Sequence, residues 1–218
     1  MITDRQRAAY AAWRTFDGIG AATQAFLLAR LAVVPLGALD HELRSLRGRV
    51  LSLGCGHGLL ERYLAEINPA VEVDGYELDR GRVEQARRTE GRSPRVRVHA
   101  ADVTRLDPAE QFDAALAVDV MHHIPADRHG PILETLRRHT TPEGRLLIKD
   151  IATEPRPKYL WNRFHDRVVA GESELSCRSP EEMAALAERA GFRIEEVRRM
   201  DRLSPYPHYL VAATVQSP

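Results

Sequence analysis

Apolar residues in the first fifth of the chain recur at the three- and four-residue spacing of α-helices. Residues 4–16 repeat apolar side chains every four positions behind Thr3, a candidate N-cap. An apolar-rich segment over residues 19–34 ends before Pro35, which cannot continue a helix. A short third helix is predicted over residues 36–46. The chain therefore opens with a helical region.

Beyond residue 48 the apolar period changes, and short strands alternate with helices. Strands are predicted at residues 49–53, 71–76, 95–101, 112–118 and 145–151, with helices at 59–67, 79–90 and 126–139. Pro142, Glu143 and Gly144 predict a turn before the last of these strands. This alternation is typical of a parallel sheet covered by helices on both faces.

The end of the chain departs from that alternation. Residues 152–179 contain prolines, aromatics and many polar side chains, which indicates an insertion after the fifth strand. Residues 179–182 read Ser-Pro-Glu-Glu, a helix start with proline at the first position and acids in the first turn. Strands at 192–199 and 208–215 are predicted to close the sheet as a hairpin.

The composition favours a globular protein over a nucleic-acid binder or a disulfide-rich protein. The chain has 218 residues, 44% of them hydrophobic and 28% charged, which suits one globular domain. Its formal net charge is zero, so the surplus of basic residues expected of a nucleic-acid binder is absent. Two cysteines, Cys55 and Cys177, are too few for a disulfide framework. With no recognisable signal peptide, a cytoplasmic location and reduced thiols are expected.

The apolar segment at residues 19–39 raises the question of membrane insertion. Gln24, Arg30 and Pro35 interrupt it, whereas a spanning helix needs about 20 predominantly apolar residues. A buried or lid helix is the favoured interpretation. An interfacial or lipid-handling role is the alternative.

The segment LSLGCGHG, residues 51–58, is the main candidate for a ligand-binding turn. Gly54, Gly56 and Gly58 follow a predicted strand and precede a predicted helix. Glycine permits a tight turn and close approach of a ligand to the backbone, and the helix start offers free N–H groups. A dinucleotide site would have its third glycine one place later, at Leu59. A plain strand-to-helix connection is the alternative for such a pattern.

Two acids follow the glycines at informative positions. Glu77 ends the second strand about twenty residues on, where a carboxylate can accept hydrogen bonds from ribose hydroxyls. Asp102 follows the third strand, at the edge of the sheet where ligands bind in open α/β folds. Each acid alone also fits a solvated loop residue or a helix cap.

Taken in order, LSLGCGHG, Glu77, HAADV, FDAALAVDVMHHIP and PEGRLLIKD resemble the motif series of class I S-adenosylmethionine-dependent methyltransferases. The series is most similar to the small-molecule branch of ubiquinone- and menaquinone-type enzymes. The resemblance implies an α/β, three-layer Rossmann-like fold whose seven-stranded, mostly parallel sheet has an antiparallel last strand. It implies one domain over 1–218, with a helical lid (1–47), a cofactor core (48–151), an acceptor-side insertion (152–179) and a C-terminal helix and hairpin (180–218).

The resemblance places the methionine and ribose parts of the cofactor over Gly54, Cys55, Gly56 and Gly58. One departure concerns Ser52, since the family often has an acid two residues before the first glycine. That acid helps to hold the methionine amino group. A serine accepts a hydrogen bond but carries no charge.

The same resemblance implies further cofactor contacts. Glu77 holds the ribose hydroxyls and Leu78 packs against adenine. Asp102 accepts from the adenine amino group, with Val103 beside it. Asp119 lines the pocket near the sulfonium and offers a carboxylate in place of the acid missing at Ser52.

The acceptor side has two candidates for a general base. Methyl transfer needs such a base only where the acceptor must lose a proton. His122 follows the fourth strand, and His165 lies in the insertion among Tyr159, Trp161 and Phe164. A histidine with an ordinary pKa suits a general base. The alternatives are a packing or capping role for His122 and a solvated lid position for His165.

An apolar lid from the N-terminal helices favours an acceptor with hydrophobic parts, although core packing explains the same residues. Those residues are Tyr10, Trp13, Phe16, Phe26 and Leu27. No metal site is expected, because the histidines lack tight ligand spacing and the Asp-Asn pair of catechol-type relatives is absent.

The sequence thus predicts S-adenosylmethionine-dependent methylation of a small molecule in secondary-metabolite or quinone-like biosynthesis, with S-adenosylhomocysteine as the product. O-methylation is slightly preferred to C-methylation, on frequency alone. The alternatives are a non-catalytic cofactor-binding module and a nicotinamide-dependent oxidoreductase. No nucleic-acid partner or stable membrane insertion is expected, and a homodimer is compatible with the sequence.

Overall fold

The helices and strands follow the order expected from the sequence. A computed structural model describes residues 2–107, 109–169, 175–202 and 204–216, with the backbone alone described at residues 163–169. The helices are α1 (Asp4–Arg14), α2 (Ala21–Val33), α3 (Leu36–Ser45), α4 (Leu59–Ile67), α5 (Arg80–Arg87), α6 (His129–Arg138), α7 (Arg156–Val169) and α8 (Pro180–Arg189). The strands are β1 (Gly48–Leu53), β2 (Val71–Glu77), β3 (Val96–Ala100), β4 (Phe112–Val118), β5 (Thr140–Ile151), β6 (Phe192–Arg199) and β7 (His208–Val215).

Within the described residues the strands form a seven-stranded sheet in the order β3-β2-β1-β4-β5-β7-β6. Strand β2 pairs in parallel with β1 and β3, whereas β7 pairs antiparallel with both β5 and β6. The prediction of a mostly parallel α/β sheet with an antiparallel last strand is confirmed. Parallel strands bring their carboxyl ends to one edge, where loops can carry a binding site.

Contacts divide the chain into two compact units. The first contains residues up to 106 with 112–114, and the second contains 107–111 with the residues from 115 onward. The first unit holds helices α1 to α5 and strands β1 to β3. The second holds helices α6 to α8 and strands β5 to β7. Strand β4 contributes residues to each unit.

A buried arginine fixes the N-terminal helices of the first unit. Arg62 of α4 is almost fully buried and donates to the hydroxyls of Thr15 and Thr89, each at 2.7 Å, and to the carbonyl of Ala86 at 2.9 Å. Its guanidinium lies 4.2 Å from the centroid of the Phe16 ring. Burial lowers the pKa of Arg62 to about 10, so the side chain stays charged at neutral pH. One side chain therefore joins the end of α1 to α4 and α5.

Two helix starts follow the predicted capping chemistry. The Thr3 side chain accepts from the backbone N–H of Gln6, whose side chain accepts from the N–H of Thr3. Ser179 and Glu182 form the same reciprocal pair at α8, with Pro180 at the first helical position. Such caps satisfy N–H groups that have no partner inside the helix.

The backbone differs from the sequence prediction near residue 143. The predicted turn at 142–144 lies inside β5, which begins at Thr140 rather than at residue 145. Glu143 has a φ of 63°, a left-handed value that is uncommon for a residue with a side chain. The turn residues thus make an irregularity within the strand. In the predicted insertion, the backbone forms the helix α7.

Not all of the predicted lid residues face outward. Phe16 and Leu27 are buried in the core, which favours the packing interpretation for these two. Tyr10 and Phe26 are exposed, and the indole N–H of Trp13 donates to the carbonyl of Gln24 at 3.0 Å. The spacing of apolar residues predicts a helix, but it does not predict which of these side chains become buried. The function of the N-terminal helices as a lid stays a prediction.

Among the described helices, none has by itself the length and apolar character needed to cross a membrane. Helices α2 and α3 meet the length and composition criteria only as a pair, and that pair is bent by 86°.

The buried contacts of Arg62 predict a large stability effect. Arg62→Met should lower the free energy of unfolding by about 2–4 kcal/mol, because three buried acceptors lose their donor. Urea denaturation would measure it. Arg88→Met is the matched control, because Arg88 lies on the surface and pairs with exposed Glu84. Its effect should stay within about 0.5 kcal/mol. Equal losses in the two variants would contradict the anchoring role of Arg62.

Candidate functional site

The glycine segment after β1 forms a turn that only glycine adopts easily. Gly54, Gly56 and Gly58 have φ values of 62°, 59° and 76°, all left-handed. The N–H groups of Gly54 and Cys55 donate to the carbonyl of Tyr76 at the end of β2, at 2.8 and 3.3 Å. A Cβ built on Gly56 would meet no atom of the described chain within 4 Å. The hydrogen bonds to Tyr76 therefore fix the turn, and a ligand can approach its backbone closely at Gly56.

The carboxylate of Glu77 holds this turn in place. Its Oε2 accepts from the N–H of Gly56 at 2.9 Å, and its Oε1 accepts from the N–H groups of Leu78 and Asp79 at 2.8 and 2.9 Å. A carboxylate has about four acceptor positions, so these bonds leave capacity for a further donor such as a hydroxyl. Glu77 thus joins the glycine turn to the end of β2.

Gly75 makes room for Cys55, a relation that the sequence analysis missed. A Cβ on Gly75 would lie 2.6 Å from Sγ and 2.8 Å from Cβ of Cys55. The pKa of the Cys55 thiol is raised, mainly by burial and then by the charges of Glu61 and Glu77. Cys55 is therefore a neutral packing group of the turn. A glycine inside a strand pattern is the signal of such close packing.

The other predicted cofactor residues of the first unit follow strands β2 and β3. Leu78 exposes 72% of its surface, unusual for a leucine beside a glycine turn, whereas Val103 is buried. The Asp102 carboxylate accepts from the N–H and hydroxyl of Thr104, at 2.9 and 2.8 Å, and caps a short 3-10 helix. Asp102 is thus a helix cap, as one of the two interpretations predicted. Its contact with adenine stays a prediction.

Helix α2 reaches the same turn. The ring of Phe26 lies 6.1 Å from that of His57, and Nε2 of His57 lies 3.1 Å from Oε1 of Gln85. Thr23 donates to the same oxygen of Gln85 at 3.2 Å. The exposed aromatic ring of Phe26 therefore borders the glycine turn.

Ser52, the departure from the family pattern, has an acidic partner that the sequence analysis did not identify. Its hydroxyl donates to Oε1 of Glu61 at 2.6 Å, and both side chains are buried. Glu61 lies in the first turn of α4, three residues after Gly58. Its position after the last glycine of the motif was the only available signal.

Asp119, in the second unit, has a cationic partner of its own. Lys149, which is fully buried, donates to the Asp119 carboxylate, and the Asp119 N–H donates to the carbonyl of Lys149 at 2.8 Å. Asp119 has a φ of 52°. Because Lys149 balances its charge, Asp119 is poorly suited to replace the acid missing at Ser52. Its place near the sulfonium stays a prediction.

His122 is held by Asp150 at the end of β5. Its backbone N–H donates to Oδ2 of Asp150 at 3.0 Å, and its Nδ1 bonds to Oδ1 of the same carboxylate. Both side chains are almost fully buried. This contact favours the tautomer with its proton on Nδ1 and its acceptor lone pair on Nε2. The predicted base His122 is thus part of a His-Asp pair.

The predicted acceptor wall in α7 is described only in part. Tyr159 is partly exposed and Trp161 is exposed, in the first half of the helix. The side chains of Phe164 and His165 lie outside the described residues. Among the side chains that are described, no group of three or more His, Cys, Asp or Glu is placed to hold a metal ion.

The chain is similar to known methyltransferases. A family model described as a methyltransferase domain matches residues 24–197. Trans-aconitate 2-methyltransferase of Methylobacterium nodulans is 31% identical over 185 residues, which are 84% of this chain and 60% of that protein.

Two solved structures share the fold. The pyocyanin biosynthetic protein PhzM has a TM-score of 0.72 at 18% identity, over 90% of this chain and 58% of that one. The mitomycin 7-O-methyltransferase MmcR has a TM-score of 0.67 at 22% identity, over 94% and 60%. At these identities the similarity shows the fold alone. The chain spans about 60% of the length of each of these three proteins.

The contact between Gly75 and Cys55 can be tested by measuring the free energy of unfolding of variants at the two positions. Gly75→Ala should cost about 1–3 kcal/mol, because its Cβ overlaps Cys55. Combining it with Cys55→Gly should restore part of that loss, so a double-mutant cycle from urea denaturation should give a favourable coupling energy. Gly91→Ala, whose Cβ meets no described atom within 4 Å, is the control. Strict additivity would refute the contact.

Proposed function

Because this chain belongs to the methyltransferase-domain family of class I S-adenosylmethionine-dependent enzymes, we propose that it methylates a small, partly hydrophobic molecule and releases S-adenosylhomocysteine. The observation that carries the proposal is the left-handed glycine turn fixed by Glu77. The family match opposes the nicotinamide-dependent alternative. Acceptors of this kind occur in secondary-metabolite and quinone-like biosynthesis.

The residues of the first unit suit the cofactor. Gly54, Gly56 and Gly58 would pass beneath its methionine and ribose parts, with open space above Gly56. Glu77 would accept from the ribose hydroxyls with its remaining acceptor positions. Leu78, an exposed leucine, offers an apolar surface for adenine. Asp102 and Val103 would border the adenine edge.

The main requirement of the reaction is that the protein positions the acceptor relative to the methyl group of the cofactor. When bound, the cofactor supplies a methyl group on a positively charged sulfur. The chain has to hold the acceptor in line and close, which alone can contribute much of the rate. A protein base is required only where the acceptor atom carries a proton at neutral pH.

The His122–Asp150 pair supports a hydroxyl acceptor, and hence O-methylation. Asp150 orients the imidazole and stabilises its protonated form, so that Nε2 can take a proton from a phenol or a similar hydroxyl. His165 is a second candidate for the same role. A carboxylic acid is the second acceptor class, favoured by the similarity to trans-aconitate 2-methyltransferase. A carboxylate is already ionised and needs no base.

Cofactor binding is the first test. Titration calorimetry should show micromolar binding of S-adenosylmethionine and S-adenosylhomocysteine, and none of NADH or NADPH. Glu77→Ala should weaken both adenosyl ligands by about tenfold or more, because charge-assisted hydrogen bonds are lost. Glu72→Ala, on the same strand with an exposed ion pair to Arg97, should change neither affinity by more than about twofold. Binding of a nicotinamide cofactor instead would overturn the proposal.

The base is tested on a panel of phenols and carboxylic acids, with release of S-adenosylhomocysteine as the readout. His122→Gln should slow methylation of phenols by about 100-fold or more and leave cofactor affinity unchanged. It should affect a carboxylic acceptor far less. His123→Gln, the exposed neighbour, is the control. Unchanged turnover of phenols would contradict the role of His122, and no turnover on any acceptor would favour the non-catalytic module.

A further inference from the structure

A buried acid lies beneath the glycine turn, and the cofactor contacts proposed above do not use it. Glu61, in the first turn of α4, is 2% exposed. Its Oε1 accepts from the hydroxyl of Ser52, 2.6 Å away on β1. Ser52 occupies the position where related chains often carry an acid. The hydroxyl and the carboxylate are thus neighbours, with the acid on the helix instead of the strand.

The second oxygen of Glu61 has no hydrogen-bond partner among the described residues. Its Oε2 is buried, and no described residue makes a hydrogen bond to it. Leaving a buried carboxylate oxygen unpaired is costly, so its persistence in a well-packed unit calls for a reason. The oxygen lies 4.0 Å from the place that a Cβ of Gly58 would take. Cγ2 of Val98 lies 3.1 Å from the same point, so the absence of a side chain at Gly58 leaves room there for the carboxylate and for Val98.

The electrostatic surroundings suit a cation at this point. Burial raises the pKa of the Glu61 carboxyl group. The Ser52 hydrogen bond opposes that rise, followed by the residue's own backbone N–H and the charges of Arg30 and Arg62. Neither arginine makes a hydrogen bond to Glu61 among the described contacts; Arg62 donates to Thr15, Thr89 and Ala86 instead. A positively charged ligand group near Oε2 would therefore stabilise the ionised acid.

We propose that Glu61 supplies the negative charge that holds the α-ammonium group of the methionine part of the cofactor, an inference that rests on the proposed function. Gly54 to Gly58 is the segment over which that part of the cofactor would pass. Ser52 then positions the carboxylate by donating to Oε1. The acid missing from β1 is replaced from α4, and Asp119, balanced by Lys149, is not needed for this role.

The test compares two ligands that differ in the amino-acid part. S-adenosylhomocysteine carries the α-ammonium group, whereas 5′-methylthioadenosine has the same nucleoside without it. Glu61→Gln keeps the size of the side chain and a hydrogen bond with Ser52 but removes the charge. Calorimetry should show about tenfold weaker binding of S-adenosylhomocysteine and less than about twofold change for 5′-methylthioadenosine. Glu66→Gln, an exposed position on the same helix, should change neither affinity.

A rescue variant separates charge from local packing. Ser52→Asp combined with Glu61→Ser returns an acid to β1 and a hydroxyl to α4. Its affinity for S-adenosylhomocysteine should recover to within about threefold of the wild type, because the charge is restored at the same turn. Binding of 5′-methylthioadenosine by every variant serves as the check on folding.

The remaining outcomes separate this inference from the proposed function. Equal weakening of both ligands by Glu61→Gln would assign Glu61 a purely structural role and overturn the inference. No effect on either ligand would do the same. If the wild type bound neither adenosyl compound, the proposed function would fail, and this inference with it.

Discussion

Three backbone N–H groups donate to the Glu77 carboxylate, and the conformation of the glycine turn depends on these contacts. Left-handed glycines let the chain turn sharply after β1, but confining glycines to one conformation costs more backbone entropy than confining other residues, so specific contacts have to offset that cost. Glu77 does so by accepting from Gly56, Leu78 and Asp79 at once. One charged acceptor therefore joins the turn after β1 to the end of β2.

Two buried cations of the described chain, Arg62 and Lys149, are likewise held by specific polar groups. Arg62 spreads its donors over two hydroxyls and a carbonyl, and Lys149 is paired with Asp119. Burying an ionised group without such partners would cost several kcal/mol. Glu61 is matched only in part, with one oxygen paired and the other without a hydrogen-bond partner among the described residues, and Nε of the adjacent Arg62 is in the same position. Of these two, the carboxylate oxygen is the one whose charge suits a cationic ligand group.

Under the proposed function, the residues of each unit would have a role of their own. The glycine turn, Glu77 and Glu61 of the first unit would hold the ribose and ammonium groups of the cofactor. His122 and Asp150 of the second unit would take a proton from an acceptor. Methyl transfer makes the acceptor the nucleophile, so the protein needs no nucleophilic residue of its own. This explains why the motifs indicate the cofactor clearly and the acceptor hardly at all.

Local pattern by itself determined the order of helices and strands, the glycine turn, and the acids that end β2 and β3. These features follow from spacing, capping and the needs of a tight turn, all of which act between residues close in the chain. Tertiary structure alone decided the partners: Glu61 beside Ser52, Lys149 on Asp119, and Asp150 on His122. The last two pairs join residues 30 and 28 positions apart, brought together by strand pairing rather than by local spacing. It also buried Phe16 while leaving Tyr10 exposed, because packing partners, not periodicity, decide which apolar side chains lose contact with water.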